Sequence, residues 1–134
     1  MIGIRGTAYY SEDRDFARAN GITVIAIEEF HARGAQDVMA QARDIAGFGK
    51  TYVSYDIDFV NPAFAPGTGT PEIGGPISFQ ALEVVRALKG VHIVGADLVE
   101  VSPPFDPSGG TAFLGASILF ELLCVMAQSS IEHP

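Results

Sequence analysis

The chain has 134 residues, 48% of them hydrophobic and 18% charged, which fits one folded domain over residues 1–134 and excludes a disordered chain. Eight Lys and Arg against 16 Asp and Glu leave a net charge of −8, so nucleic acid and anionic membranes are poor partners, and a cation or metal ion suits this field better. The sequence shows no unbroken apolar run of membrane-spanning length and no basic-then-apolar leader in residues 1–20, and its one cysteine, Cys124, fits a reducing compartment; a cytoplasmic protein is expected.

In chain order, Ile2-Gly3-Ile4-Arg5-Gly6 reads as a short strand closed by a glycine turn. Residues 11–20 form a polar helix, with Ser11 and Asp13 as candidate caps, Phe16 and Ala19 on one face, and Asn20-Gly21 as its stop. Residues 23–27 are a continuous apolar run, expected as a strand covered on both faces. His31 follows in a polar loop. Val38, Met39, Ala42, Ile45 and Ala46 have helical spacing over 37–46, ended by Gly47 and Gly49. Residues 51–57 are strand-like, and a loop dense in proline and glycine runs from 59 to 76. Ser78 caps a helix through Leu88, with Gly90 beyond it. Residues 91–101 form another apolar strand, and a second loop covers 102–110. The last helix, about 111–127, is apolar nearly all round, so burial is expected, with Cys124 an inert core residue.

Strands alternating with helices predict an α/β fold, a parallel sheet with helices on its faces. Ligands of such sheets bind at the carboxyl ends of the strands. Both unusual loops lie there, after residues 51–57 and after 91–101.

The chemistry concentrates at the same place. Asp56 and Asp58 are two apart on a strand and so share a face with Ser54. Two carboxylates this close call for a hard divalent cation between them, or else they point to water or cap the loop. Of Asp97 and Glu100, three apart and on opposite strand faces, one points into the site, where a carboxylate holds a cationic group through paired hydrogen bonds. Asp106 reads as a turn residue. His31, His92 and His133 lack ligand spacing and read as structural or solvated. Arg5 reads as a surface charge or an interface contact. The glycine loop lacks the phosphate-binding Lys and the G-x-G-x-x-G spacing, which argues against a nucleotide-binding domain.

Tyr52-Val53-Ser54-Tyr55-Asp56-Ile57-Asp58, with Pro62 and the run from Ala65 to Gly75, resembles the third signature motif of the ureohydrolases: arginase, agmatinase, guanidinobutyrase and formiminoglutamase. The run from Val94 to Asp106, and Thr111-Ala112 opening the last helix, resemble the agmatinase branch, and weaker similarity extends from Ile2 to Gln128. The resemblance implies a three-layer α/β/α arginase-like fold with two Mn ions at the strand ends. It implies that a metal-bridging hydroxide attacks the guanidinium carbon of a linear substrate, such as agmatine or a guanidino acid, releasing urea and an amine. Carried over, Asp56 bridges the metals, Asp58 ligates one of them, Glu100 orients the guanidinium, and Thr70 lies near the substrate. A homo-oligomer is also expected from the family.

The family's Gly-Gly-Asp-His-Ser and Asp-Ala-His-x-Asp motifs are not in this sequence, and neither is an identifiable proton-handling histidine. The chain thus resembles the C-terminal portion of a single ureohydrolase domain, with part of the metal set and no catalytic residue of its own. Family members often carry Asp where Asn61 stands, a change expected to act only behind the ligands. Weak metal binding and little or no turnover are expected of the isolated chain. The alternative is a non-catalytic fragment that binds a partner subunit or a divalent ion.

Overall fold

The computed structural model of the chain describes residues 1–6 and 12–132. Ser11 and His133, read above as a cap and a tail residue, lie outside the described residues. The elements run β1 Ile2–Ile4, α1 Glu12–Ala19, β2 Ile25–Ala26, α2 Ile27–Arg33, α3 Ala35–Ala46, β3 Thr51–Asp56, α4 Ser78–Arg86, β4 Ile93–Val99 and α5 Gly110–Glu132. Strands and helices interleave as the sequence predicts, with α2 and α3 consecutive, and both strand pairs among the described residues are parallel. The strands fall into two separate pairs, β1–β2 and β3–β4. Residues of β1, α3 and β3 line one groove of about 780 Å³, and Asp56 and Asp58 are part of its lining.

The differences from the expected elements have local causes. The strand at 23–27 shrinks to β2 because Ile27 and Phe30, three apart, bury one face of a helix whose first turn carries Glu28 and Glu29. His31 therefore sits on α2 and not in a loop. Gly34 (φ 82°) separates α2 from α3, and Gly47 (φ 60°) ends α3. The expected strand at 91–101 is trimmed at both ends, so His92 precedes β4 and Glu100 follows it. Ile77, not Ser78, occupies the cap of α4, where its N–H donates to the Gln80 side chain at 3.1 Å. Asp106 is the turn residue expected: its carboxylate accepts the Thr111 N–H at 2.6 Å and the Ser108 N–H at 3.1 Å at the start of α5.

The core joins Phe30 and Val38 of the first half to Ile57, Val60 and Val85, and to Ile118 and Leu122 of α5. α5 packs on β4 and α4. Gly115 permits this approach: a Cβ there would stand 2.9 Å from Leu98. Among the described residues, α5 is one helix long and apolar enough to cross a bilayer. Its Leu114, Ile118, Leu122 and Val125 are buried within the fold. The expectation of burial all round is corrected, because Phe113, Phe120 and Leu123 face outward, and Cys124 is exposed rather than an inert core residue.

Candidate functional site

Asp56 closes β3, and Asp58 sits in the single 3₁₀ turn that follows, Ile57–Phe59. The Asp58 N–H donates to Asp56 Oδ1 at 3.0 Å, and Ile57 and Phe59 turn into the core. A turn, then, and not strand alternation, brings the two acids together, which corrects the geometry expected for the pair. Ser54 stays on the strand, in register with Asp97.

Two further expected residues converge here. Thr70 Oγ1 donates to Asp58 Oδ2 at 3.1 Å. Glu100 stands one residue past β4, close enough for its charge to be felt at Asp56. Burial first, and then the charges of Asp58 and Glu100, push the Asp56 carboxyl above its ordinary value, while the Asp58 N–H pulls the other way. None of the ion pairs among the described residues involves Asp56, Asp58 or Glu100. Asp97 does not join them. One of its oxygens accepts the Tyr52 hydroxyl at 2.9 Å, and the other is buried without a partner.

Glu100 is the one non-glycine residue with a left-handed backbone (φ 65°) among the described residues. That conformation costs on the order of 1–2 kcal/mol and persists only where neighbours enforce it. The enforcement is visible: Val101 bridges Thr68 in antiparallel fashion, and the Ser102 N–H donates to the Gly67 carbonyl at 2.7 Å.

The same contacts hold the long loop. Its base closes through the Asn61 N–H on the Pro76 carbonyl at 2.9 Å. His31 Nε2 hydrogen-bonds the Gly74 carbonyl at 2.7 Å. Arg5, just past β1, donates to the carbonyls of Glu72, Ile73, Gly3 and Asp58. Reading Arg5 as a surface charge or interface contact is thereby corrected, since its guanidinium is spent on main-chain carbonyls inside the fold. Sequence reasoning missed Arg5 and His31 as loop anchors. For Arg5 a signal existed: a cation just past a strand of a parallel sheet stands where the strand-end loops gather.

The donor set fits a hard divalent cation in part. Asp56 and Asp58 offer carboxylate oxygens at adjacent points, with a local excess of negative charge. Among the described residues no three His, Cys, Asp or Glu side chains come together as a metal cage. Asp56 and Asp58 would hold such a cation from one side only.

Two parallel strand pairs thus carry a carboxylate pair at the end of β3 and a left-handed acid just past β4. Residues 1–125 match the model of the arginase family, and the chain belongs to that family. It is 57% identical over 130 residues to a guanidinopropionase of Pseudomonas aeruginosa, covering 97% of this chain and 41% of that protein. It is 49% identical over 100 residues to a mitochondrial agmatinase of Gallus gallus, covering 75% of this chain and 29% of that one. The solved proclavaminate amidino hydrolase of Streptomyces clavuligerus superposes with a TM-score of 0.90 at 41% identity, over 96% of this chain and 42% of that structure. The arginase-like α/β fold is thus shared. The chain spans less than half the length of each of these relatives, so it is a partial domain of that fold.

Proposed function

We propose that this chain supplies part of the metal and substrate centre of a ureohydrolase that cleaves a linear guanidino compound into urea and an amine. The observation that carries the reading is that Asp56, Asp58 and Thr70 join by hydrogen bonds at the end of β3, with Glu100 past the neighbouring β4 close enough to act on Asp56, and no ion pair among the described residues offsets the acids. Mn²⁺ is the cation proposed, with Asp56 and Asp58 as its holders here. When bound, the ion supplies Lewis-acid chemistry that makes water a nucleophile near neutral pH.

The chain's own residues do the positioning. The Glu100 carboxylate accepts paired N–H donors from the planar guanidinium, and its enforced backbone fixes where that plane lies. Thr70 holds one oxygen of Asp58 and leaves the other oxygen free to face a cation. The names of the relatives favour agmatine or a guanidino acid as substrate, and the net charge of −8 favours the cationic agmatine. A cytoplasmic setting and a homo-oligomeric enzyme belong to the same proposal.

The test is titration calorimetry of the chain with MnCl₂, beside an Asp56→Ala/Asp58→Ala double variant. Weak, saturable uptake that disappears in the double variant supports the reading, and equal heats from the two proteins overturn it. With agmatine or 3-guanidinopropionate as substrate, the chain alone releases little or no urea, because two carboxylates do not complete a binuclear centre.

A further inference from the structure

We infer that Arg5 is a positioning residue of this centre: its guanidinium sets where Asp58 and Thr70 stand relative to each other. The inference rests on the metal reading of Asp58, but its geometry stands apart from it.

Arg5 lies directly after β1, and Gly6 follows with φ 80°. Its side chain is partly buried and crosses to the β3 end of the groove. Nη2 donates to the Asp58 carbonyl and, at 2.7 Å, to the Glu72 carbonyl. Nε donates to the carbonyls of Glu72 and Ile73, at 3.2 and 3.1 Å. Nη1 returns to the Gly3 carbonyl at 3.3 Å, tying the fork to its own strand. One planar cation therefore holds three segments: the end of β1, the turn that carries Asp58, and the loop two residues beyond Thr70. The loop also lies directly over Gly6, where a Cβ would meet Glu72 Oε2 at 2.7 Å.

The consequence concerns charge as well as position. A cation beside a carboxylate pair ordinarily ion-pairs with it and competes with a metal. Here the fork donates to main-chain carbonyls and forms no ion pair with Asp56 or Asp58. The fixed fork is what permits this: a lysine ammonium carries the same charge on a flexible stem, without planar, divergent donors. Charge alone does not reproduce the arrangement.

The experiment compares wild type, Arg5→Lys and a control, Arg33→Lys, which removes a guanidinium held by Glu29 and Asp37 on the surface. Hydrogen–deuterium exchange is followed over residues 56–59 and 68–76, and each protein is titrated with MnCl₂. Arg5→Lys is expected to speed exchange in both segments by about tenfold or more, the cost of charge-assisted hydrogen bonds lost. It is also expected to weaken Mn²⁺ uptake by about tenfold, as an orienting group behind a ligand does. Arg33→Lys is expected to change neither. Unchanged exchange in Arg5→Lys overturns the inference, and so does faster exchange with Mn²⁺ uptake equal to wild type, which makes Arg5 a loop anchor only. Absence of Mn²⁺ uptake by wild type defeats the metal reading of Asp58, and the exchange of 56–59 and 68–76 then decides by itself whether Arg5 positions the two residues. Should Arg5→Lys fail to fold, Arg5→Gln, which keeps an amide donor and loses the charged fork, replaces it in the same measurements.

Discussion

Thr70 Oγ1 reaches across twelve residues of chain to donate a hydrogen bond to Asp58 Oδ2 at 3.1 Å. The contact is made by a loop residue that is exposed and has no other hydrogen bond of its side chain among those observed. Replacing Thr70 by Val keeps the shape and removes the donor. The hydrogen bond is exposed, so the melting temperature is expected to move by no more than about 3 °C. Mn²⁺ uptake is expected to weaken by about tenfold, because Asp58 loses the group that orients it. Calorimetry on the variant checks this; an unchanged affinity would leave Thr70 as a loop closure with no part in the centre.

Asp56 carries a cost that a metal would remove. Its carboxyl is raised above the usual value, by burial first and then by Asp58 and Glu100. An acid whose folded pKa lies above its unfolded one makes the fold less stable as pH climbs through the carboxylate range, since the ionised form is the one penalised. Asp56→Asn keeps an oxygen for the Asp58 N–H and loses the charge. The metal-free variant is expected to melt above wild type at neutral pH, with the gap closing in acid, where wild-type Asp56 is protonated as well. It is also expected to gain nothing from added Mn²⁺, whereas wild type is stabilised by it. Thermal melts across pH, with and without MnCl₂, measure both effects; a neutral-pH melt below wild type would refute the first.

The sequence carried the strand–helix order, the carboxylate pair and the two strand-end loops, because period, punctuation and residue type are local signals. It did not carry the turn at Asp58. Alternation assumes that the strand continues, whereas burial of Ile57 and Phe59 with the Asx contact of Asp56 ends it. Nor did it carry α2, because the apolar run at 23–27 suits a strand until Phe30 is seen to share a buried face with Ile27. The position of Arg5 past a strand was legible but its partners were not, because all of them are carbonyls, which every residue has; only the fold decides which ones come within reach. Cys124 and the outward aromatics of α5 were misjudged for another reason: a helix apolar on all sides gives no period that says which side is covered.

Asp106 gives the fold a second, acid-sensitive point. The Ser108 hydroxyl first, and then the Thr111 N–H, hold its carboxyl down to about 2. A folded pKa below the unfolded one, about 3.8, contributes stability that is fully present above pH 4 or so and is lost as pH falls toward 2. Asp106→Asn is expected to flatten that acid limb, and Asp106→Ala to lower the melting temperature by several degrees at neutral pH through loss of the α5 cap. Urea unfolding at a series of pH values separates the two effects. An acid limb of unchanged slope in Asp106→Asn would place the sensitivity elsewhere.

The outer face of α5 predicts how the chain behaves in solution. Phe113, Phe120 and Leu123 are 78%, 67% and 63% exposed, and apart from Glu121, held by Arg86, the helix has no charged side chain before its last residue. Exposed aromatics spaced by seven residues form a stripe that associates in water. Their removal costs the fold little, because they bury little in it. The Phe113→Lys/Phe120→Glu pair is therefore expected to raise the monomer fraction in sedimentation velocity while leaving helix content and melting temperature close to wild type. Exposed Cys124 lies on the same stretch, so its reaction with a thiol reagent should slow as wild type is concentrated and stay constant in the double variant. The open edges of β1 and β3 offer the competing route to association, through main-chain pairing. If the double variant associates as strongly as wild type, with Cys124 reacting alike in both, the strand edges are the contact and α5 is not.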